Sequence, residues 1–313
     1  MQNYSPDKVS FLEVDTEHSG QRLDNFLIKH LKGVPKSRLY RLIRKGEIRI
    51  NKRRARASCR VSDGDVLRIA PIRISENHQR SNIDPSHFTD FDNLIVYEDD
   101  SIIVLNKPSG VAVHGGSGIS FGVIESLRAL RPEKKYIELV HRLDRDTSGI
   151  LLLAKKRSAL VKMQNQLKER GMIKSYVALV KGVWPKEKTT ISAPLLKNTL
   201  LSGERIVRVD KRGKESITHF KIIKRFQHCT FLNINLATGR THQIRVHCQY
   251  AGHPIAGDQK YGDKNFNAEM RSFGLRRLFL HADRIKFWHP SSGVLLDENA
   301  ESPRILKQVL ETI

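Results

Sequence analysis

Two aspartates stand between arginines in HRLDRDTSGILLLAKK, residues 141–156, directly before an apolar run. Asp144 and Asp146 can form surface ion pairs with Arg142 and Arg145, they can bind a cation, or one of them can act as a nucleophile. A nucleophilic aspartate must remain an anion while partly buried, and a neighbouring guanidinium group favours the anion. From these residues alone the ion-pair interpretation is favoured, because charged groups at strand ends are common and usually solvated.

The segment DRDTSG also resembles the first half of a calcium-binding EF-hand loop. Its candidate ligands at loop positions one, three, five and six are Asp144, Asp146, Ser148 and Gly149. Position twelve must supply a bidentate glutamate, and this chain has Lys155 there. The apolar ILLLA would occupy the remaining ligand positions, so calcium binding is not predicted.

A second group of reactive side-chain types lies in ATGRTHQIRVHCQYAGHPIAGDQKYG, residues 237–262. The side chains in it that could bind zinc are His242, His247, Cys248 and His253. Their spacing matches no common zinc-ligand pattern. The sequence therefore predicts no metal site in this segment.

The elements that must hold these side chains are predicted from hydrophobic periodicity. ILLLA is typical of a buried strand directly after the two aspartates. Thr241 can cap a helix that carries Arg245 and ends at Gly252. Tyr176 lies in KSYVALVKG, a strand pattern in which an aromatic residue most often packs in a sheet. By pattern alone, Arg245 is as readily an ordinary helix cation as a functional group.

Further strands are predicted in NLIVYEDDSIIVLNKP, THFKIIKRF, TFLNINLA and RLFLHADRIKF. Helices are predicted around residues 121–131, 157–170 and 242–251, and a short helix follows Ser302-Pro303. Strands outnumber helices and do not alternate regularly with them. The fold class is therefore α+β rather than a doubly wound parallel sheet.

A smaller unit is predicted near the N-terminus. QRLDNFLIKHLKG has one apolar helical face and a stop at Gly33, and Asp24 falls in the first turn, where the helix dipole favours a carboxylate. SRLYRLIRKG predicts a second helix with Ser37 as N-cap and Gly46 at the stop. Two short strands follow, EIRIN and DVLRIA, with the basic loop NKRRAR after the first.

The charge balance predicts a polyanionic partner. The chain has 55 Lys+Arg against 33 Asp+Glu, a formal net charge of +22. Cations that neutralise phosphates release condensed counterions, so nucleic acid is the expected partner. Residues 36–60 hold eleven Lys/Arg and one acidic residue. The predicted nucleic-acid-binding residues are Lys36, Arg38, Arg41, Arg44, Lys45, Lys52, Arg53 and Arg54.

The sequence argues against several other classes of protein. Three scattered cysteines are too few for a disulfide framework, and the N-terminal residues lack the cationic start and apolar region of a signal peptide. No apolar run approaches the roughly 18 residues that span a bilayer. The glycine loop HGGSG, residues 114–118, lacks the residues of a P-loop or dinucleotide motif. A cytoplasmic protein without membrane attachment or cofactor is expected.

The polar, aperiodic stretch between the two patterned regions predicts a linker. The expected division is a small domain at residues 20–77, a linker at residues 78–92 and a larger domain at residues 93–313.

Taken together, HRLDRDTSGILLLAKK, KSYVALVKG and GRTHQIRVH resemble the three motifs of the RluA family of pseudouridine synthases, in the same order and at similar spacing. The resemblance covers about residues 93–290 and includes NKPSGVAVHGG, GHPIAGDQKYG and LFLHA. Residues 20–77 resemble the S4 RNA-binding domain. The resemblance implies a catalytic domain with a mixed, mainly antiparallel sheet, preceded by a small α/β S4 domain.

The resemblance also implies a reaction, in which a uridine within RNA exchanges its N1–C1′ bond for a C5–C1′ bond. Asp144 would be the catalytic aspartate, either as a nucleophile or in forming a glycal intermediate. Arg245 would pair with Asp144 and hold it ionised. Tyr176 would stack on the uracil and take part in removing the C5 proton, and Arg142 would stabilise the extruded nucleotide.

The implied partner is 23S ribosomal RNA or the assembling large subunit, bound by a monomer that uses neither metal nor coenzyme. An alternative is an S4-type RNA-binding assembly factor whose catalytic activity is secondary. A glycosidase or nuclease would need two positioned carboxylates or a metal site, and the sequence indicates neither.

Overall fold

The computed structural model of the chain describes residues 8–31, 34, 36–72, 91–115, 122–134, 136–199 and 205–313, with the backbone alone at 36, 37, 199 and 205. The chain divides into two compact units, the N-terminal unit Met1–Asp84 and the C-terminal unit Pro85–Ile313. The predicted linker at 78–92 lies almost wholly outside the described residues. The predicted division at residues 20–77 and 93–313 therefore stays a prediction.

The N-terminal unit combines two helices with a small antiparallel sheet. Its elements are β1 (Ser10–Glu13), α1 (Leu23–His30), α2 (Lys36–Lys45), β2 (Ile48–Ile50), β3 (Arg53–Arg54) and β4 (Val66–Ile69). The strand order is β1-β4-β2-β3. Both predicted helices and both predicted strands are present, and β1 is an additional strand that pairs with β4. The predicted helix stop at Gly33 lies outside the described residues.

Two local predictions for this unit are wrong. Helix α2 begins at Lys36, so Ser37 lies within the helix rather than at its N-cap. The predicted basic loop NKRRAR is a tight hairpin, in which Asn51 and Lys52 form the turn with positive φ angles of 46° and 68°. A two-residue turn with both φ angles positive matches the twist of the flanking strands, so the next two residues pair as β3.

The core of the N-terminal unit forms from the apolar faces of its helices. Leu23, Phe26 and Leu27 of α1 are buried against Leu39 and Leu42 of α2 and the inner side of the sheet. Because these residues recur every three to four positions, they form one buried apolar face on each helix.

The C-terminal unit is built on one large sheet. Its elements are β5 (Ile95–Glu98), β6 (Ile102–Lys107), α3 (Val123–Leu130), β7 (Glu138–Leu139), β8 (Ser148–Ala154), α4 (Arg157–Lys168), β9 (Ile173–Lys181), β10 (Thr190–Ser192), β11 (Leu195–Thr199), β12 (Arg205–Val209), β13 (Ile217–Arg225), β14 (Cys229–Leu236), α5 (Gln243–Tyr250), α6 (Lys264–Ser272), β15 (Leu280–Trp288), β16 (Leu295–Asn299) and α7 (Arg304–Thr312). Every strand and helix predicted for this region is present. The elements that the periodicity did not indicate are β7, β10, β11, β12, β16 and α6.

The main sheet has the order β10-β13-β14-β9-β15-β8-β6-β5, with β16 paired to β15 and β7 paired to β8. Strands β8 and β15 are parallel, and the other described neighbours are antiparallel. The predicted α+β class and the mixed, mainly antiparallel sheet are confirmed. Within the described part of the chain, no helix is long and apolar enough to cross a lipid bilayer.

Strand β8, the ILLLA segment, lies at the centre of the core. All seven of its residues are buried. Leu151 and Leu153 pack into the cluster on one face of the sheet, and Ile150 and Leu152 pack into the cluster on the other face. A strand covered on both faces has no solvent-facing position, which explains why ILLLA is continuously apolar rather than alternating.

Candidate active site

Asp144 lies in the loop of residues 140–147 between β7 and β8, the aspartate loop. The backbone N–H of Thr147 donates to the carbonyl of Asp144 across 3.2 Å, which closes a turn directly before β8. The Asp144 side chain is 21% exposed. A carboxylate in this position is held by a buried strand and is still open to a substrate.

The segment NKPSG at the end of β6 holds the aspartate loop through hydrogen bonds. The buried amine of Lys107 donates to the carbonyls of Pro108, Val111 and Arg145, at 2.7, 2.8 and 3.0 Å. The N–H of Gly110 donates to the same Arg145 carbonyl across 2.9 Å. Burial lowers the pKa of Lys107 to about 7. The three carbonyl acceptors match the three hydrogens of the protonated amine, which in that form ties the loop to the sheet.

A cavity of about 650 Å³ opens beside the aspartate loop. The sequence-predicted catalytic residues Asp144, Tyr176 and Arg245 and the predicted nucleotide contact Arg142 all line it. Tyr176 comes from β9 and Arg245 from α5. Three segments that are far apart in the sequence therefore meet at one cavity, which has the size of a small-molecule or nucleotide site.

Arg245 approaches Asp144, but its hydrogen bonds go to Asp258. Its Nη1 lies 3.6 Å from Oδ2 of Asp144. Its Nε and Nη2 donate to the two oxygens of Asp258 at 2.7 and 2.8 Å, and that carboxylate is 1% exposed. Burial alone would lower the pKa of Arg245, but the hydrogen bonds with Asp258 raise it. Asp258 thus fixes a charged guanidinium group so that its remaining nitrogen faces Asp144.

Buried polar side chains anchor the helix that carries Arg245. The Gln243 amide accepts from Thr238 and donates to the Ile217 carbonyl, at 2.9 and 3.0 Å. The predicted cap at Thr241 is wrong, because the residue before α5 is His242, in the left-handed conformation with φ 54°. This conformation places His242 beside the cavity, with Nε2 3.9 Å from the Asp144 carboxylate.

Tyr176 and Lys174 point from β9 into the same cavity. Tyr176 is 6% exposed. Burial raises the pKa of its hydroxyl above the ordinary value, and the charge of Asp144 raises it further. Burial also lowers the pKa of Lys174. The cavity therefore presents a neutral phenol and a desolvated amine next to the carboxylate.

The other candidate groups have structural surroundings. Asp146 forms an exposed ion pair with Arg145 at 3.0 Å, as the ion-pair interpretation predicts for that residue. His247 is buried, bonded to Thr218 and to the Ala193 carbonyl. Cys248 is a buried free cysteine. Among the residues that the structure describes, no three His, Cys, Asp or Glu side chains are grouped as a metal site requires.

The predicted nucleic-acid-binding cations of residues 36–54 belong to the N-terminal unit. The exposed residues among them are Arg41, Arg44, Lys45, Lys52, Arg53 and Arg54. Arg38 is partly buried, and the side chain of Lys36 lies outside the described residues. Arg41, Arg44 and Lys45 share one face of α2, opposite the buried Leu39 and Leu42. This face is a row of solvated positive charge.

The sequence interpretation missed four residues of the site. Asp258 and Tyr261 lie in GDQKYG, and Lys107 lies in NKPSG; both segments were noted without a role for these side chains. His242 was considered only as a zinc ligand. The available signal was the concentration of polar residues in segments that pack as core, since buried polar groups need specific partners.

The chain is similar to known proteins over almost its whole length. Residues 101–250 match the family model described as RNA pseudouridylate synthase, and residues 21–67 match the S4 domain model. The chain is 54% identical over 306 residues to the ribosomal large subunit pseudouridine synthase C of Haemophilus influenzae, covering 97% of this chain and 95% of that protein. It is 52% identical over 309 residues to the protein of the same name from Escherichia coli K12, covering 97% of both.

Among solved structures, human RNA pseudouridylate synthase domain containing 1 matches with a TM-score of 0.55 and 27% identity, covering 67% of this chain and 83% of that chain. Human RNA pseudouridylate synthase domain containing 4 matches with a TM-score of 0.59 and 24% identity, covering 72% of this chain and 95% of that chain. The second similarity concerns the fold alone.

Proposed function

The chain belongs to the RNA pseudouridylate synthase family, and from this premise we propose that it isomerises specific uridines of large-subunit 23S ribosomal RNA, with Asp144 as the catalytic carboxylate. The observation that carries the proposal is the meeting of Asp144, Tyr176 and Arg245 at one cavity. The relatives named above support ribosomal RNA as the substrate, since they match almost the full length of this chain.

The geometry supports a division of roles around Asp144. The uridine loses its N1–C1′ bond, the uracil turns, and C5 forms the new bond to C1′. Asp144 acts on the ribose, either by bonding to C1′ or by assisting a glycal intermediate. Arg245, which is held by Asp258, faces the carboxylate and orients it. The rearrangement is redox-neutral, so the proposal includes no cofactor.

Tyr176 is better suited to stacking on the uracil than to acting as a base on its own. Burial and the charge of Asp144 raise the pKa of its hydroxyl, so the phenol stays neutral. A neutral ring at the cavity wall offers an apolar face to a base that has left its stack. Tyr176 could accept the C5 proton only as a phenolate, so its phenol would first have to give its own proton to another base.

The exposed cations can offset the free energy needed to extrude the target base. Unstacking a nucleotide costs a few kcal/mol, and phosphate contacts elsewhere on the strand offset it. Arg142, exposed at the cavity, is placed to stabilise the extruded nucleotide. Arg41, Arg44 and the β2–β3 hairpin would hold RNA at the N-terminal unit. We propose a monomeric cytoplasmic enzyme that acts on the assembling large subunit.

Asp144→Asn tests the proposal directly. The amide keeps the size of the side chain and removes the anion, so uridine isomerisation should fall to background while RNA affinity stays nearly unchanged. Single-turnover conversion of in vitro transcribed large-subunit RNA measures the first, and filter binding measures the second.

Asp146→Asn is the matched control in the same loop. It removes an exposed ion pair, and it should leave the rate of isomerisation unchanged. A normal rate for Asp144→Asn would refute the assignment of the catalytic carboxylate. Loss of activity in both variants would show that the loop, rather than the carboxylate of Asp144, is being tested.

The exposed cationic face of α2 also favours the assembly-factor alternative, in which RNA binding is the main task. Mapping pseudouridine in ribosomal RNA from cells that carry only Asp144→Asn separates the two functions. The enzyme proposal predicts that specific pseudouridines are missing. If none is missing and only deletion of the gene disturbs subunit assembly, the alternative is favoured.

A further inference from the structure

His242 has an unusual backbone conformation next to the catalytic carboxylate. Its φ and ψ of 54° and 20° lie in the left-handed region, immediately before α5. A residue other than glycine pays about 1 kcal/mol or more for this conformation, which persists at functional sites when the surrounding structure imposes it. The consequence here is that Nε2 of His242 lies 3.9 Å from Oδ2 of Asp144.

The contacts of Tyr261 indicate which ring nitrogen of His242 carries the proton. The Tyr261 hydroxyl lies 2.8 Å from Nδ1 of His242, and the N–H of Val207 donates to the same hydroxyl oxygen across 3.0 Å. Tyr261 is buried, so its own proton needs an acceptor, and Nδ1 is the acceptor within reach. The hydrogen of the neutral imidazole is therefore on Nε2, the atom that faces Asp144.

Burial of the His242 ring favours its neutral form. Burial lowers the pKa of His242 below its ordinary value, against the opposing effect of Asp144. The neighbouring charges of Arg245 and Lys260 act in the same direction as burial, and Asp258 acts against them. Near neutral pH, the Arg245 guanidinium group and a neutral imidazole therefore lie near the same carboxylate.

Both donors approach the same oxygen of Asp144. Nη1 of Arg245 is 3.6 Å and Nε2 of His242 is 3.9 Å from Oδ2. Catalytic hydrogen bonds are often long without substrate and shorten when it binds. Two donors that close on Oδ2 would fix the rotation of the carboxylate and leave Oδ1 turned toward the substrate.

We propose that His242 is a positioning residue for the isomerisation: its Nε2–H, fixed by Tyr261, orients Asp144 so that Oδ1 faces C1′ of the uridine. This inference rests on the proposed role of Asp144. A neutral donor suits the task because a second cation would stabilise the free carboxylate more than the state in which Oδ1 has bonded to C1′. Orientation by a neutral N–H avoids that ground-state cost.

The test compares His242→Asn with His242→Gln. Asparagine adopts the left-handed conformation readily, so the turn before α5 is kept, but its amide does not reach the position of Nε2. The glutamine amide nitrogen reaches about that position. His242→Asn should slow single-turnover isomerisation roughly 10- to 100-fold with unchanged RNA affinity, the loss typical of a misplaced reacting group. His242→Gln should recover most of the rate.

Tyr261→Phe examines the proton assignment. It should slow the reaction when residue 242 is histidine, because the ring can then carry its hydrogen on either nitrogen. It should have little effect in combination with His242→Gln, since an amide has no tautomer to fix. Slowing of equal size in both backgrounds would overturn the proposed role of Tyr261.

Asp144→Asn in the same assay separates this inference from the proposed function. If Asp144→Asn is active, the proposed function fails. If Asp144→Asn is inactive and His242→Asn reacts at the normal rate, only the role of His242 fails. Equal slow rates for His242→Asn and His242→Gln, with RNA affinity retained, would also overturn the role of the Nε2–H donor.

Discussion

Asp24 and Asp144 each follow an Arg-Leu pair, and their surroundings separate them. Asp24 is 2% exposed and lies in the first turn of α1. Arg22 donates to both of its oxygens at 3.1 and 2.6 Å, and the hydroxyl of Tyr40 donates across 3.1 Å. Asp144 instead faces a cavity, with its nearest cation 3.6 Å away. A carboxylate whose acceptor sites are filled is structural, and one held open can react.

The variant Asp24→Asn tests this contrast. Hydrogen bonding from Arg22 lowers the pKa of Asp24 below its ordinary value of 3.8. Loss of the charged pair should reduce the free energy of unfolding of the N-terminal unit by about 1–3 kcal/mol at neutral pH. Catalysis at saturating RNA should not change. Hydrogen exchange of the α1 and α2 amides measures the free energy of unfolding. A catalytic defect in a folded Asp24→Asn protein would contradict the assignment of Asp24 as structural and Asp144 as catalytic.

The pH dependence has a definite sign. Because the folded-state pKa of Asp24 is lowered, the stabilisation is present above the unfolded pKa and is lost as the pH falls through the folded one. The difference in the free energy of unfolding between the wild-type protein and Asp24→Asn should therefore be largest at pH 6 to 7 and should decrease below about pH 4. A difference that grows on acidification would refute this account.

At the scale of the elements, the parallel contact between β8 and β15 positions the aspartate loop. Ser148 pairs with His281 and Gly149 with Ala282, directly after the loop ends. The buried hydroxyl of Ser148 lies 2.8 Å from Nδ1 of His281. Gly149 has a φ of 109°, and a Cβ there would lie 2.2 Å from the carbonyl oxygen of Ala282. The strands can approach so closely only because this residue has no side chain.

Gly149→Ala should therefore destabilise the C-terminal unit by about 3 kcal/mol or more, the range of severe strain in a core. The matched control is Gly293→Ala, where φ is 70° but, apart from the glycine and its chain neighbours, no atom of the described residues lies within 4 Å of the added Cβ. That change carries only the conformational cost of about 1 kcal/mol. Urea unfolding followed by fluorescence of the buried Trp184 compares them, and equal midpoints would contradict the importance of the close approach.

At the scale of the whole molecule, the cations behind the net charge of +22 have different surroundings in the two units. The N-terminal unit carries exposed cations along one face of α2 and at the β2–β3 hairpin. In the C-terminal unit, two cations beside the cavity, Arg245 and Lys174, are largely buried. Exposed cations suit phosphate contacts, and buried cations suit the orientation of reacting groups.

The double variant Arg41→Gln, Arg44→Gln tests the role of the exposed face. It should weaken RNA binding and reduce the slope of log affinity against log salt by about 1.4–1.8, if each cation makes one phosphate contact. Arg304→Gln, Lys307→Gln is the control with the same change in net charge, on the exposed side of α7. Equal slopes for the two double variants would show that net charge alone matters.

The sequence by itself determined the fold class and most of the elements. The continuously apolar run ILLLA and the helical periodicity of QRLDNFLIKH predict their elements from local sequence alone, and these segments form β8 and α1. The short elements β7, β10, β11, β12 and β16 were missed, because strands of two to five residues form only where a partner strand lies alongside. The turn at Asn51 and Lys52 was missed for a related reason, because it forms together with the pairing of β3 and β2.

For the site, the sequence indicated Asp144, Tyr176, Arg245 and Arg142 through resemblance to known motifs, while residue patterns alone favoured ordinary ion pairs. Only the tertiary structure decided how the site is assembled. Asp258 holds Arg245 through hydrogen bonds between residues 13 positions apart. Tyr261 sets the proton on His242, and Lys107 anchors a loop 38 residues away. Such contacts depend on three-dimensional proximity, which periodicity along a chain does not encode.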